Sequence, residues 1–101
     1  MYFRLVTCNV DPAKVDETVA VFDQANAPGL AALPGFVQVL YGLNRKTGKV
    51  TTVTVWDSEE HERASRLNIP NTIANMEGLL LAEEVHQETL EVVHAWPAPR
   101  A

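Results

Sequence analysis

Cysteine is nearly missing from these 101 residues: Cys8 stands alone. One thiol can close no internal disulfide and cannot build a cysteine-rich zinc site. No apolar run approaches the roughly 20 residues that a membrane-spanning helix needs. Positive charge is scarce as well, with 8 Lys and Arg against 13 Asp and Glu and a net charge of −5. An acidic balance argues against nucleic acid as a partner. The opening Met1-Tyr2-Phe3-Arg4 lacks the basic region and apolar stretch of a secretory leader, so a cytoplasmic location is expected. There is no Gly-rich phosphate loop and no His-x-x-x-His pair, so neither nucleotide nor metal is expected. Repeats and low-complexity tracts are missing too. What is present is 47% apolar residues, enough for one core. A single domain over residues 1–95 is expected, with 96–101, beginning Trp96-Pro97-Ala98-Pro99, as a tail.

Local signals order the elements. Tyr2 to Val10 is rich in aromatic and β-branched residues and reads as a strand. Asp11-Pro12 marks a helix start, and Val15, Val19 and Phe22 recur at helical spacing. Pro28-Gly29 predicts a break, followed by a short helical turn from Leu30 to Leu33. Phe36 to Leu43 and Val50 to Trp56 read as two strands joined by a hairpin turn over Asn44 to Lys49. Arg45, Lys46 and Lys49 then form a solvated hairpin tip. Ser58 caps a second helix whose first turn carries Glu59 and Glu60. Pro70 predicts an interruption, with Asn71 capping a continuation through Ile73, Met76 and Leu80. Further acidic residues gather at Glu83-Glu84. Val85 to Ala95 reads as a fourth strand.

The order β-α-β-β-α-β is that of an α+β, ferredoxin-like fold, with one four-stranded antiparallel sheet and both helices on one face. The second face carries an argument of its own. Phe36-Val37-Gln38-Val39-Leu40-Tyr41 is apolar on both parities, whereas a sheet with one wet face should alternate. Helices cover one face, so a second copy of the sheet is the expected cover, giving a homodimer through the sheet face.

Leu33-Pro34-Gly35-Phe36, then Gly48, then Val55-Trp56-Asp57-Ser58-Glu59-Glu60 resemble the antibiotic biosynthesis monooxygenase (ABM) family, in order, across nearly the whole chain. The resemblance implies a dimeric α/β barrel with a substrate pocket between sheet and helices of each subunit. It also implies a cofactor-independent monooxygenase acting on a small aromatic substrate such as a quinol or polyketide. The alternative is a non-catalytic dimer of the same fold that binds a small ligand or regulates. The haem-degrading branch pairs an Asn on the first strand, matched by Asn9, with a Trp and a His. Those two positions fall near Ser65 and Asn75, so haem degradation is not expected.

Oxygenation without a cofactor requires that the substrate lose a proton and then pass an electron to dioxygen. A phenol with a pKa near 10 is ionised in roughly one molecule per thousand at neutral pH. A positioned base is worth about 10²–10⁴-fold. His61, one turn after Ser58 on the face shared by Ala64, Ser65 and Asn68, is the candidate base. Asn9, Tyr41, Trp56 and Arg66 are the candidate substrate-binding residues, with Tyr41 and Arg66 able to hold an oxyanion. Arg4, like Arg66, could hold a substrate anion or serve as a surface or ion-pair residue; Cys8 reads as a small buried hydrophobe, and His86 and His94 as same-parity residues of the fourth strand.

Overall fold

The computed structural model describes residues 1–81 and 85–97; Glu83-Glu84 and the last four tail residues lie outside them. Strands β1 (Tyr2–Asn9), β2 (Phe36–Leu43), β3 (Lys49–Trp56) and β4 (His86–Glu91) form one antiparallel sheet in the order β2-β3-β1-β4. The helical segments α1 (Val15–Val21), α2 (Ala27–Ala31), α3 (Glu59–Ser65) and α4 (Ile69–Asn75) fill the two crossovers. This is the ferredoxin-like arrangement that the element order predicts. No helix among the described residues is long and apolar enough to cross a membrane.

Two of the three expected caps, Asp11 and Ser58, form. Asp11 Oδ1 accepts from the Ala13 N–H at 2.9 Å, and Ser58 Oγ accepts from the His61 N–H at 3.2 Å. Four expectations need correction. The chain does not break at Pro28-Gly29, because a π turn (Phe22–Asn26) precedes it and leads straight into α2. The Ala27 N–H reaches back to the Phe22 carbonyl. That wider ladder lets Pro28, which has no N–H to place, sit in the first turn of the next segment. The second helix is interrupted earlier than Pro70, by a 3₁₀ turn over Arg66–Asn68, and Asn68 rather than Asn71 occupies the N-cap position of α4. That helix ends at Asn75; Gly78 turns with φ +80° and Leu80 forms an isolated bridge to Val10. Strand β4 stops at Glu91, so His94 lies beyond it and shares no strand with His86.

The two faces of the sheet are also assigned differently from their apolarity. Val50, Thr54 and Trp56 of β3 are buried under the helices, which turns Val53 and Val55 to the open face. In β2 a bulge between Phe36 and Gln38 switches parity. Phe36 faces the helices before it, while Val39, Tyr41 and Leu43 do so after it. Part of the apolarity on both parities of β2 therefore comes from the bulge. The core proper is Val10, Phe22, Val50, Met76 and Leu79.

The two separated sequence signatures meet in space. Phe36 packs edge-on against Trp56, with ring centroids 5.8 Å apart. The Gly35 carbonyl accepts from the Asp57 N–H at 2.9 Å. Gly35 has φ +78°, and a side chain there would collide with His61 and Asp57. Gly35→Ala is expected to lower stability by about 1–2 kcal/mol from the left-handed backbone alone, and more from the collision, as read in urea unfolding.

Candidate functional site

A cavity of about 110 Å³ lies between the sheet and the helices. Its floor comes from inward rows of β1 and β3, among them Val6, Cys8, Thr52 and Thr54; its roof comes from Phe22, Leu30 and Met76. The π turn supplies Phe22 and Asn26, both buried. Phe22 stacks on Tyr41 with centroids 4.2 Å apart and planes 9° from parallel. Asn75 Nδ2 donates to Asn26 Oδ1 at 2.9 Å, which fixes the amide and leaves its nitrogen as a donor. Apart from Arg4 and the Gln87 amide, the rest of the lining among the described residues is apolar or hydroxylic.

Two donors in this lining are buried without an acceptor among the described residues: Arg4 Nε and the Tyr41 hydroxyl. An unpaired buried donor costs roughly 1–3 kcal/mol, so each of these calls for a partner such as a bound ligand or an ordered water. Burial pushes the Tyr41 phenol up to about 12, which keeps it a neutral hydrogen-bond donor. Burial also raises the Cys8 pKa, so that side chain stays a thiol.

Arg4 is the residue whose placement departs most from expectation, being only 3% exposed. It is held from behind. Its Nη1 donates to Ser65 Oγ at 2.8 Å and stands 3.7 Å from Glu62 Oε1. Its guanidinium carbon lies 5.8 Å over the Trp56 ring. Glu62, with 0% exposure, also takes Arg66 Nε and Nη2 at 3.0–3.2 Å and the Thr89 hydroxyl at 2.7 Å. Burial raises the Glu62 pKa, but hydrogen bonds from Thr89 and Arg66 and the charges of Arg66 and Arg4 outweigh it; the net shift is downward. Burial, joined by the Arg66 charge, lowers Arg4 against the opposing pull of Glu62. A guanidinium nonetheless stays cationic in a protein. Two guanidinium groups thus share one carboxylate, and the excess positive charge borders the cavity.

Of the five candidate site residues, only Tyr41 lines this cavity. Arg66 is spent on Glu62 and Thr89, outside the lining. Trp56 is fully buried beneath Arg4, where its indole donates to Thr54 Oγ1 at 3.0 Å. Asn9 has the open-face parity of Leu5 and Thr7. His61 does not look into the sheet. Its Nδ1 lies 2.6 Å from Asp57 Oδ1 at the surface, with the ring 41% exposed. The hydrogen bond from His61 lowers the Asp57 pKa. The inward face of α3 runs through Glu62 and Ser65; Ser65 is on the face assigned by spacing, but His61 sits one residue, or about 100°, from Glu62.

Asn26, Glu62 and the burial of Arg4 were missed. The signals for two of them are visible in hindsight: a lone cation inside Tyr2-Phe3-Arg4-Leu5-Val6, and Glu62 four residues before Arg66. Asn26 carries none, because a π turn decides where it points. Among the described residues, no cluster of His, Cys, Asp or Glu is placed to hold a metal.

The family model described as antibiotic biosynthesis monooxygenase matches residues 1–68. No curated protein is significantly similar in sequence. Among solved structures, SnoaB of Streptomyces nogalater, a cofactor-independent oxygenase, is 17% identical with a TM-score of 0.70, over 96% of this chain and 97% of that one. The ActVA-Orf6 monooxygenase of Streptomyces coelicolor, solved with nanaomycin D, is 20% identical with a TM-score of 0.72, over 93% and 88% of the two chains. A protein of unknown function from Nitrosomonas europaea is 17% identical with a TM-score of 0.73, over 93% and 90%. At these identities the likeness establishes the fold.

Proposed function

Since this chain belongs to the antibiotic biosynthesis monooxygenase family, we propose that it oxygenates a small phenolic substrate inside the cavity between sheet and helices, with the substrate as the only electron donor. The observation that carries this reading is the pair of buried, unanswered donors, Arg4 Nε and Tyr41 Oη, in a mostly apolar lining. Such a lining suits an aromatic ring bearing oxygen. The reaction balances without an external reductant. A phenol and dioxygen give a quinone and water. One oxygen atom enters at the ring carbon opposite the hydroxyl. The other leaves as water with the hydrogens of that carbon and of the hydroxyl. The protein's share is orientation and exclusion of bulk water. Dioxygen uptake by purified protein with a panel of single-ring phenols and hydroquinones is the test. Uptake that disappears in Val6→Phe, which fills the cavity, supports the reading. Ring binding with no uptake across the panel supports a non-catalytic binding protein instead.

The assembly belongs to the same proposal. Phe3, Leu5, Val53, Val55, Leu40 and Leu90 share the open face, and Leu40 remains 56% and Leu90 37% exposed. A contiguous apolar face of this kind suits a second copy of the sheet. Sedimentation at micromolar concentration is expected to give a mass near twice 11.1 kDa. Val53→Glu, at the centre of the face opposite Leu5, is expected to return it to the monomer. A wild-type monomer overturns the sheet-to-sheet arrangement.

A further inference from the structure

We infer that the cavity selects the ionised form of a single-ring aromatic ligand, with Arg4 Nε as the group that binds its oxyanion and Glu62 and Ser65 as the residues that position Arg4. This rests on the cavity's being the binding site proposed above.

Charge is the first argument. Among the described residues, the lining holds Arg4, Cys8 and Tyr41 as its ionisable side chains and contains no carboxylate or imidazole. The cavity faces of the π turn, α2, α4, β3 and β4 carry no titratable side chain among the described residues. Behind Arg4 stand Glu62 and Arg66 from the α3 side, one negative and one positive, so the cation of Arg4 is not cancelled by a dedicated partner. Such a site can hold a phenolate, and among the described residues it offers no carboxylate or imidazole to make one from a neutral phenol. His61, committed to Asp57 at the surface, lies outside the lining.

Geometry is the second argument. Ser65 takes Nη1 of Arg4 and Trp56 lies under its guanidinium, an arrangement that holds the group in place while leaving Nε unanswered. Arg4 pairs with Thr54, and Tyr41 pairs with Thr52, so the two donors sit two strands apart and one side-chain row apart. Strand spacing and rise put their Cα atoms roughly 12 Å apart. Donors that reach in from two sides suit oxygens at opposite ends of one ring.

Size is the third. A dry cavity of roughly 150 Å³ accepts benzene. The present 110 Å³ leaves room for one ring after slight side-chain adjustment.

The test is an absorbance titration of 4-nitrophenol bound to the full-length protein, with 4-nitrotoluene as the neutral ring of similar shape. The phenolate is expected to bind at least tenfold more tightly than the phenol, so its pKa falls by one unit or more on binding. Tyr41→Phe should reduce the shift by about half. Arg4→Met combined with Glu62→Gln, which removes both buried charges together, should abolish it. A bound pKa at or above the free value in the wild-type protein overturns the inference. If the protein nevertheless takes up dioxygen with phenols, the oxygenase reading survives that result. If neither nitrophenol nor nitrotoluene binds and no phenol is oxidised, the site itself is wrong and the inference falls with it.

Discussion

Glu62→Ala is expected to destabilise the fold by about 3–5 kcal/mol, a large share of the 5–15 kcal/mol available to a domain of this size. The carboxylate is fully buried and receives Arg66, Thr89 and, more distantly, Arg4. Removing it leaves Arg4 at 3% exposure with no counter-charge, and the cost is mainly that of an unpaired buried cation. Arg66 is half-exposed and can turn to water, so its loss costs far less. Arg66→Ala should therefore fall near 1 kcal/mol, in line with a partly exposed helix pair. Urea unfolding of the two variants separates the cases. Equal costs would mean that Arg4 is not the residue Glu62 stabilises. The same carboxylate sets an acid limit. Its pKa is lowered from its ordinary 4.5, so the folded protein resists protonation that the unfolded chain accepts. Its contribution is complete above about pH 5 and drains away as pH falls through the lowered native value. In Glu62→Gln this part of the acid sensitivity should vanish, leaving a flatter stability profile below pH 5.

Trp56→Ala is expected to cost about 3–5 kcal/mol, as for other large aromatic truncations in cores. The side chain has no exposed surface, meets Phe36 edge-on, lies under Arg4 and donates to Thr54. Trp56→Phe keeps an aromatic face toward Arg4 but loses the bond to Thr54 and part of the volume, and should cost roughly 1–2 kcal/mol. Thermal unfolding of both variants provides the check. A small cost for the alanine variant would show that the ring is not packed as described. A substrate-binding Trp would instead change ligand affinity with little effect on unfolding. Trp56 does not line the cavity, so the expected effect falls on stability.

The parts legible in the sequence are those governed by neighbours along the chain. Asp11 and Ser58 cap because their side chains reach N–H groups two and three residues on. Asn44 closes the hairpin through its own side chain, bonding the Lys46 and Thr47 N–H groups. Proline was the misleading signal. Pro28 and Pro70 both sit in the first turn of a helical segment, where the missing N–H costs nothing, so neither breaks the chain where composition suggests. The bulge at Phe36 and Gln38 has no local marker, and its effect is to reverse which residues of β2 point inward.

By itself the sequence determined the order of elements, the antiparallel hairpin, and two faces of opposite parity on every strand. It also carried the signature that identifies the family. Tertiary structure decided which parity of each strand meets the helices. It turned the threonine row of β3 and Arg4 inward, and Val53 and Val55 outward. Apolarity alone favours the reverse. The physical reason lies in partners far along the chain. A buried cation is tolerable only beside its carboxylate, and Glu62 stands 58 residues from Arg4. Periodicity within a single strand contains no record of that meeting, and the cavity's unanswered donors exist only once it has taken place.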